Sequence, residues 1–84
     1  MINMIAVVRP SDSPAPALYE ISGIQLEVFH SVEGREYEVT CFRPNGDYFK
    51  VLGVDPAYYR AILDNLRVSG VADFTSWLCE FPSD

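Results

Sequence analysis

The run IQLEVFHSVEGREYEVTCFRPNGDYFKVL, residues 24–52, contains the clearest secondary-structure pattern of the chain. Polar and apolar side chains alternate along residues 24–29 and again along residues 36–41, which is the period of strands that bury one face and expose the other. An EG pair at 33–34 and a PNG triplet at 44–46 separate these runs and are typical of tight turns. The stretch therefore predicts three consecutive antiparallel strands joined by two hairpins.

The segment before this meander predicts one short strand, a loop and a return to strand-like character at residues 18–21. Residues 1–8, MINMIAVV, are apolar and rich in β-branched side chains, and Pro10 ends the run because it lacks an amide donor. Residues 11–17 contain two further prolines and are expected to form an irregular surface loop. The apolar run is too short to span a membrane, so we expect no membrane association.

A helix is predicted over residues 56–68. Asp55 is placed to cap its first amides, Pro56 fits the first helical position, and Gly70 fits the left-handed conformation beyond its end. Four apolar residues recur at helical spacing and predict one stripe packed against the sheet: Tyr59, Ile62, Leu63 and Leu66.

A second, shorter helix is predicted at the C-terminus, over residues 74–81. Asp73 is its expected cap, and Phe74, Trp77, Leu78 and Phe81 repeat the same spacing before Pro82. The fold class predicted for residues 1–84 is a single α+β domain. It contains an antiparallel β-meander of three to four strands, packed against one helix and completed by this second short helix.

Charge and cysteine content limit the classes of partner and of metal or redox site that we expect for this chain. Twelve acidic residues against six basic ones give a net charge of −6. Such a chain repels nucleic-acid phosphate and attracts basic protein surfaces, so we expect no direct nucleic-acid binding. Cys41 and Cys79 lack the spacing of a zinc or redox site and are expected to be buried thiols in a reducing cytoplasm.

The sequence predicts no catalytic, metal or cofactor site. His30 is the only histidine, and a structural or edge position is favoured for it over catalysis or metal ligation. The alternative is that His30 activates Cys41 as a nucleophile, but no third residue is placed to orient such a pair. No glycine-rich phosphate loop is present. We therefore expect a protein that is not an enzyme.

The acidic residues of the meander are the candidate partner-binding group. Six acids lie between Glu20 and Asp47 against two arginines. The strand parity predicts that five residues share one exposed sheet face: Glu27, Glu36, Glu38, Phe29 and Phe42. Two interpretations remain open at this point, a solvated face with no partner and a docking surface for a basic protein.

The segment YFKVLGVDPAYYRAIL, residues 48–63, resembles part of the KTSC domain. That family is a small meander-plus-helix module found alone in bacteria and phages and at the end of some lysyl-tRNA synthetases. The resemblance covers the strand, the Gly-Val-x-Pro turn and the tyrosine-containing helix. It implies an accessory module involved in protein or RNA interaction.

The whole chain, short, acidic and without enzyme signatures, resembles the small phage-encoded anti-CRISPR proteins, in particular those directed against the type I-E surveillance complex. The resemblance concerns size, charge and strategy, and transfers no functional residue. It implies a non-catalytic inhibitor that binds a protein subunit of Cascade, the RNA-guided complex, and blocks interference in the cytoplasm of an infected or lysogenic bacterium. Basic surfaces of such complexes would attract an acidic protein.

Overall fold

The computed structural model describes residues 4–82. In these residues seven strands and one helix follow one another in the order β1 to β5, α1, β6, β7. Their bounds are β1 Met4–Val8, β2 Ala17–Ile21, β3 Gly23–Ser31, β4 Gly34–Phe42, β5 Tyr48–Leu52, α1 Pro56–Ser69, β6 Val71–Asp73 and β7 Leu78–Glu80. The α+β class is confirmed. Residues 1–3 of the predicted first strand lie outside the described part.

The predicted meander is confirmed as β3, β4 and β5, which pair antiparallel in that order. The turn between β4 and β5 is closed by two bonds: the Arg43 amide donates to the Asp47 carbonyl at 2.8 Å, and the Gly46 amide donates to the Arg43 carbonyl at 3.1 Å. Gly46 has a φ of 94°, a conformation that costs a residue without Cβ little. The short strand β7 pairs with the other side of β5 and completes a four-stranded sheet.

A second sheet was not predicted. It has three strands in the order β2-β1-β6, and β1 pairs antiparallel with β2 but parallel with β6. A single bridge between Pro10 and Cys79 connects the end of β1 to β7 of the larger sheet. Residues of both sheets and of the helix share one buried cluster: Ala6, Val8, Ile21, Val39, Cys41, Phe49, Val51, Val54, Ile62, Leu66, Ala72, Phe74 and Cys79.

Helix α1 confirms the predicted helix, one residue longer at its end. The Asp55 carboxylate accepts hydrogen bonds from the amides of Ala57 at 2.9 Å and Tyr58 at 3.2 Å. Gly70 takes the left-handed conformation, with a φ of 76°, and its amide donates to the Leu66 carbonyl. The predicted stripe faces the core: Ile62 and Leu66 are buried, while Tyr59 and Leu63 are half-buried against the cluster.

The predicted C-terminal helix over residues 74–81 is absent from the described chain. Asp73 does accept from one following amide, but it closes a turn: its Oδ1 accepts from the Thr75 amide at 2.9 Å and from the Thr75 hydroxyl at 2.7 Å. These two bonds lower the pKa of Asp73. The Phe74 amide donates to the Val7 carbonyl of β1 at 2.8 Å, so this backbone bonds to a strand instead of forming helical hydrogen bonds.

The aromatic side chains of this segment are accordingly not one helical stripe. Phe74 is fully buried and Trp77 packs half-buried against the core, whereas Leu78 is 53% exposed and Phe81 is 37% exposed. Cys79, which the helical interpretation left off the stripe, is buried. The alternation of exposed Leu78, buried Cys79 and exposed Glu80 is that of strand β7.

Candidate functional site

The strand register brings the five predicted partner-binding residues onto one face of the four-stranded sheet. Glu27 lies directly opposite Glu38, and Phe29 lies directly opposite Glu36. Phe42 follows Glu38 by four residues on β4 and so points to the same side. The helix and the buried residues Val39 and Cys41 lie on the other side of the sheet. The parity prediction for this face is therefore confirmed, while its use in binding stays a prediction.

We call this surface the open face. Ladder pairs with β5 and β7 extend it to residues that the sequence analysis did not include, because residues directly opposite each other point the same way. Its side chains are Gln25, Glu27, Phe29, Glu36, Glu38, Thr40, Phe42, Tyr48, Lys50, Leu52, Leu78 and Glu80. Four carboxylates against one ammonium give the open face a net charge of −3.

Three aromatic rings lie among these charges. Phe29 is 42% exposed, and Phe42 and Tyr48 are each 40% exposed. Phe42 and Tyr48 lie directly opposite one another across β4 and β5. Half-exposed rings of this kind present a rigid apolar area that loses little conformational entropy when a partner covers it.

The centre of the open face is partly closed by its own polar side chains. Thr40, only 3% exposed, donates its hydroxyl to Glu27 Oε1 at 2.7 Å. Lys50 Nζ lies 3.4 Å from Glu38 Oε2, which is an ion pair without hydrogen-bond geometry, since that buried oxygen has no hydrogen-bond partner within residues 4–82. The Glu38 carboxylate raises the pKa of Lys50. The ammonium also lies 5.9 Å from the centroid of the Phe29 ring.

A depression of about 220 Å³ lies beside this cluster. It is lined by Glu27, Thr40, Phe42, Tyr48 and Lys50. A lining that combines a carboxylate with aromatic rings is the chemistry that receives Lys or Arg side chains, through charge and through cation–π contact. The Lys50 side chain of the protein itself already lies beside this carboxylate and these rings.

Cys41 and His30 are not brought together. Cys41 lies opposite Ile24 on the ladder, whereas His30 lies opposite Arg35, six residues further along β3 and about 20 Å away at the usual strand rise. Burial, and then the neighbouring Cys79, raise the pKa of the Cys41 thiol to about 12, and burial raises that of Cys79 to about 11. Both thiols are therefore protonated at neutral pH, which disfavours nucleophilic attack.

No cluster of three or more potential metal ligands occurs within the part of the chain that the structure describes. In the same residues, no helix has the length and apolar character needed to cross a membrane. Comparisons of the chain with protein-family models, with curated proteins and with solved structures found no match.

Proposed function

We propose that this protein is a non-catalytic inhibitor that binds a basic protein surface through its open face. The target in this proposal is a protein subunit of the type I-E Cascade complex in the bacterial cytoplasm, as the resemblance to anti-CRISPR proteins implies. The observation that carries the proposal is that Glu27, Glu36 and Glu38 share one sheet face with Phe29 and Phe42, on the side away from the helix and the buried cluster. This favours docking over a merely solvated face, since solvation alone does not account for the exposed aromatic rings.

The two kinds of side chain would serve different steps. Charge of one sign raises the rate at which an oppositely charged partner is met, and it disfavours wrong partners and wrong orientations. The aromatic rings would supply the area that slows dissociation, because desolvated aromatic anchors carry much of the binding energy in protein interfaces. Glu36 and Glu80, exposed at the margins of the open face, are the acids best placed for steering.

The same charge argues against direct binding to the guide RNA or the target DNA. A face of net charge −3 on a chain of net charge −6 repels phosphate, and no counterions would be released on contact. The inhibitor would therefore compete with nucleic acid for a basic subunit surface, or cover the place where the nuclease is recruited.

The alternative is a KTSC-like accessory module that interacts with protein or RNA. One observation favours it: residues 48–63 form β5, a turn and the start of α1, which is the strand-turn-helix order of that resemblance. Direct binding of the protein to RNA at physiological salt would favour this alternative over the inhibitor.

The test is binding to purified type I-E complex at two salt concentrations. Glu36→Lys reverses an exposed charge on the open face, and Asp64→Lys makes the same change on the exposed side of α1. We expect Glu36→Lys to slow association and to weaken the salt dependence, while Asp64→Lys leaves both close to wild type. Equal association rates for both variants and wild type would remove the open face from the mechanism.

A further inference from the structure

Within residues 4–82, strand β3 has a free edge, because it is the outermost strand of the four-stranded sheet. The backbone groups of alternate residues in a strand point to alternate neighbours. The Tyr37 carbonyl of β4 accepts from the Gly53 amide, and the Arg43 amide, just after β4, donates to the Asp47 carbonyl. The backbone N–H and C=O groups of odd-numbered residues of β4 therefore point towards β5. Even-numbered residues of β4 therefore face β3.

The register then identifies which groups of β3 are unpaired. Even-numbered residues of β4 lie opposite odd-numbered residues of β3, as Glu38 lies opposite Glu27. The odd-numbered residues of β3 consequently bond to β4, and the N–H and C=O groups of the even-numbered residues point to the free edge. These residues are Ile24, Leu26, Val28 and His30. None of the backbone bonds made outside the ladders of residues 4–82 involves them.

This edge lacks the usual protection against strand addition. Natural edge strands carry lysine, proline or a bulge that prevents another strand from pairing. Between Gln25 and Ser31, β3 contains no lysine and no proline and keeps a continuous register with β4. The Glu27 carboxylate, its only acid, is held by Thr40. Val28 is 46% exposed and Phe29 is 42% exposed, so the far half of the strand projects apolar side chains on both faces.

We infer that the free edge of β3 accepts an extended segment of a partner protein in which Lys or Arg alternates with apolar residues. A residue of that segment directly opposite Glu27 would project its side chain onto the open face. The two residues would form a non-hydrogen-bonded pair, the kind in which opposite side chains approach most closely. Its neighbours along the segment would lie on the other face, beside Leu26 and Val28. The inference rests on the proposed function for the basic character of the partner.

A second copy of this chain fits the edge less well. Two β3 strands paired antiparallel about Glu27 would place two carboxylates opposite each other, and like charges at that position are destabilising. Any other register still joins two chains of net charge −6. A basic segment can bond to the same edge N–H and C=O groups of β3, and its positive charge attracts the negatively charged chain.

The experiment uses the full chain and a blocked peptide of alternating Lys and Val, about nine residues long to match β3. We expect binding by calorimetry and slower amide exchange at Leu26, Val28 and His30. Val28→Pro removes one edge donor but no bond to β4, so it should fold and weaken binding about tenfold. Val28→Ala, the matched control, keeps the donor and should weaken binding by about threefold or less.

A modified peptide keeps the inference testable if Val28→Pro fails to fold. Methylation of the peptide's alternate backbone nitrogens removes its donors to the edge, and we expect wild-type protein to lose binding to it. Equal binding of the methylated peptide or of a Glu-Val peptide would overturn the inference, as would dimers that pair through β3. If Glu36→Lys weakens binding to the type I-E complex and Val28→Pro does not, the proposed function survives and this inference fails. If Val28→Pro weakens that binding and Glu36→Lys does not, the inference about the β3 edge survives and the proposed role of the open face fails.

Discussion

Glu27 and Glu38 lie directly opposite one another on β3 and β4, so two carboxylates share one cross-strand position at the centre of the open face. Like charges at such a position repel, and each is offset by a different neighbour: the Thr40 hydroxyl for Glu27 and the Lys50 ammonium for Glu38. Glu36 and Glu80 belong to no ion pair within residues 4–82. The centre of the open face, with two carboxylates and one ammonium, thus keeps a net charge of −1, and Glu36 and Glu80 add −2 at its margins.

The first prediction concerns the C-terminal aromatics. Phe74→Ala should lower the free energy of unfolding by about 3–5 kcal/mol, because the ring is fully buried and its loss leaves a cavity. Trp77→Ala should cost roughly half as much, since the indole is half-buried and packs edge-on against Tyr58 and Phe74. Urea unfolding of both variants beside wild type measures this order. A larger loss for Trp77→Ala would contradict the packing described for this segment.

The same segment illustrates where sequence reasoning failed. Its apolar residues do repeat at helical spacing, and Asp73 is a good helix cap, so both local signals favoured a helix. The deciding contact is not local: the Phe74 amide bonds to Val7 of β1, some 67 residues earlier in the chain. The parallel pairing of β1 with β6 depends on the same long-range relationship, and no periodicity within either strand encodes it.

The parts predicted correctly are those that local chemistry determines. The cap of Asp55 and the left-handed Gly70 bound the helix, and the two turns of the meander set its register. Once the register is set, the period of two fixes which side chains share a face. The candidate residues of β3 and β4 were found for this reason. Glu80 was missed because its segment was interpreted as a helix, in which strand parity has no meaning.

The second prediction concerns alkaline pH. Burial raises the pKa of Cys41 from 9.0 to about 12 in the folded chain, so the unfolded chain loses this proton first. The free energy of unfolding should be unaffected by this group below about pH 9 and should fall as the pH rises towards 12. Cys41→Ala should show a shallower decline over that range, whatever its stability at neutral pH. Urea unfolding at several pH values gives the slope, and identical slopes for variant and wild type would contradict the assignment.

The third prediction concerns Lys50, the one cation of the open face, whose ammonium lies 3.4 Å from Glu38 and beside the Phe29 ring. The Lys50 ammonium lies where the open face would otherwise attract a Lys or Arg side chain of a partner. Lys50→Met keeps the length of the stem and removes the charge, which changes the net charge of the open face from −3 to −4. We expect faster association with the type I-E complex and a steeper salt dependence, the opposite of the effect of Glu36→Lys.

Arg67→Met is the matched control for this experiment, because it removes one positive charge from the exposed side of α1, where Arg67 pairs weakly with Asp64 at 3.9 Å. If net charge alone steers the protein, Lys50→Met and Arg67→Met should accelerate association equally. If the open face meets the partner, Lys50→Met should have the larger effect, and the difference should shrink as salt shortens the range of the interaction. Slower association of Lys50→Met would mean that the Lys50 ammonium itself contacts an acidic group of the partner, which contradicts docking on a basic surface.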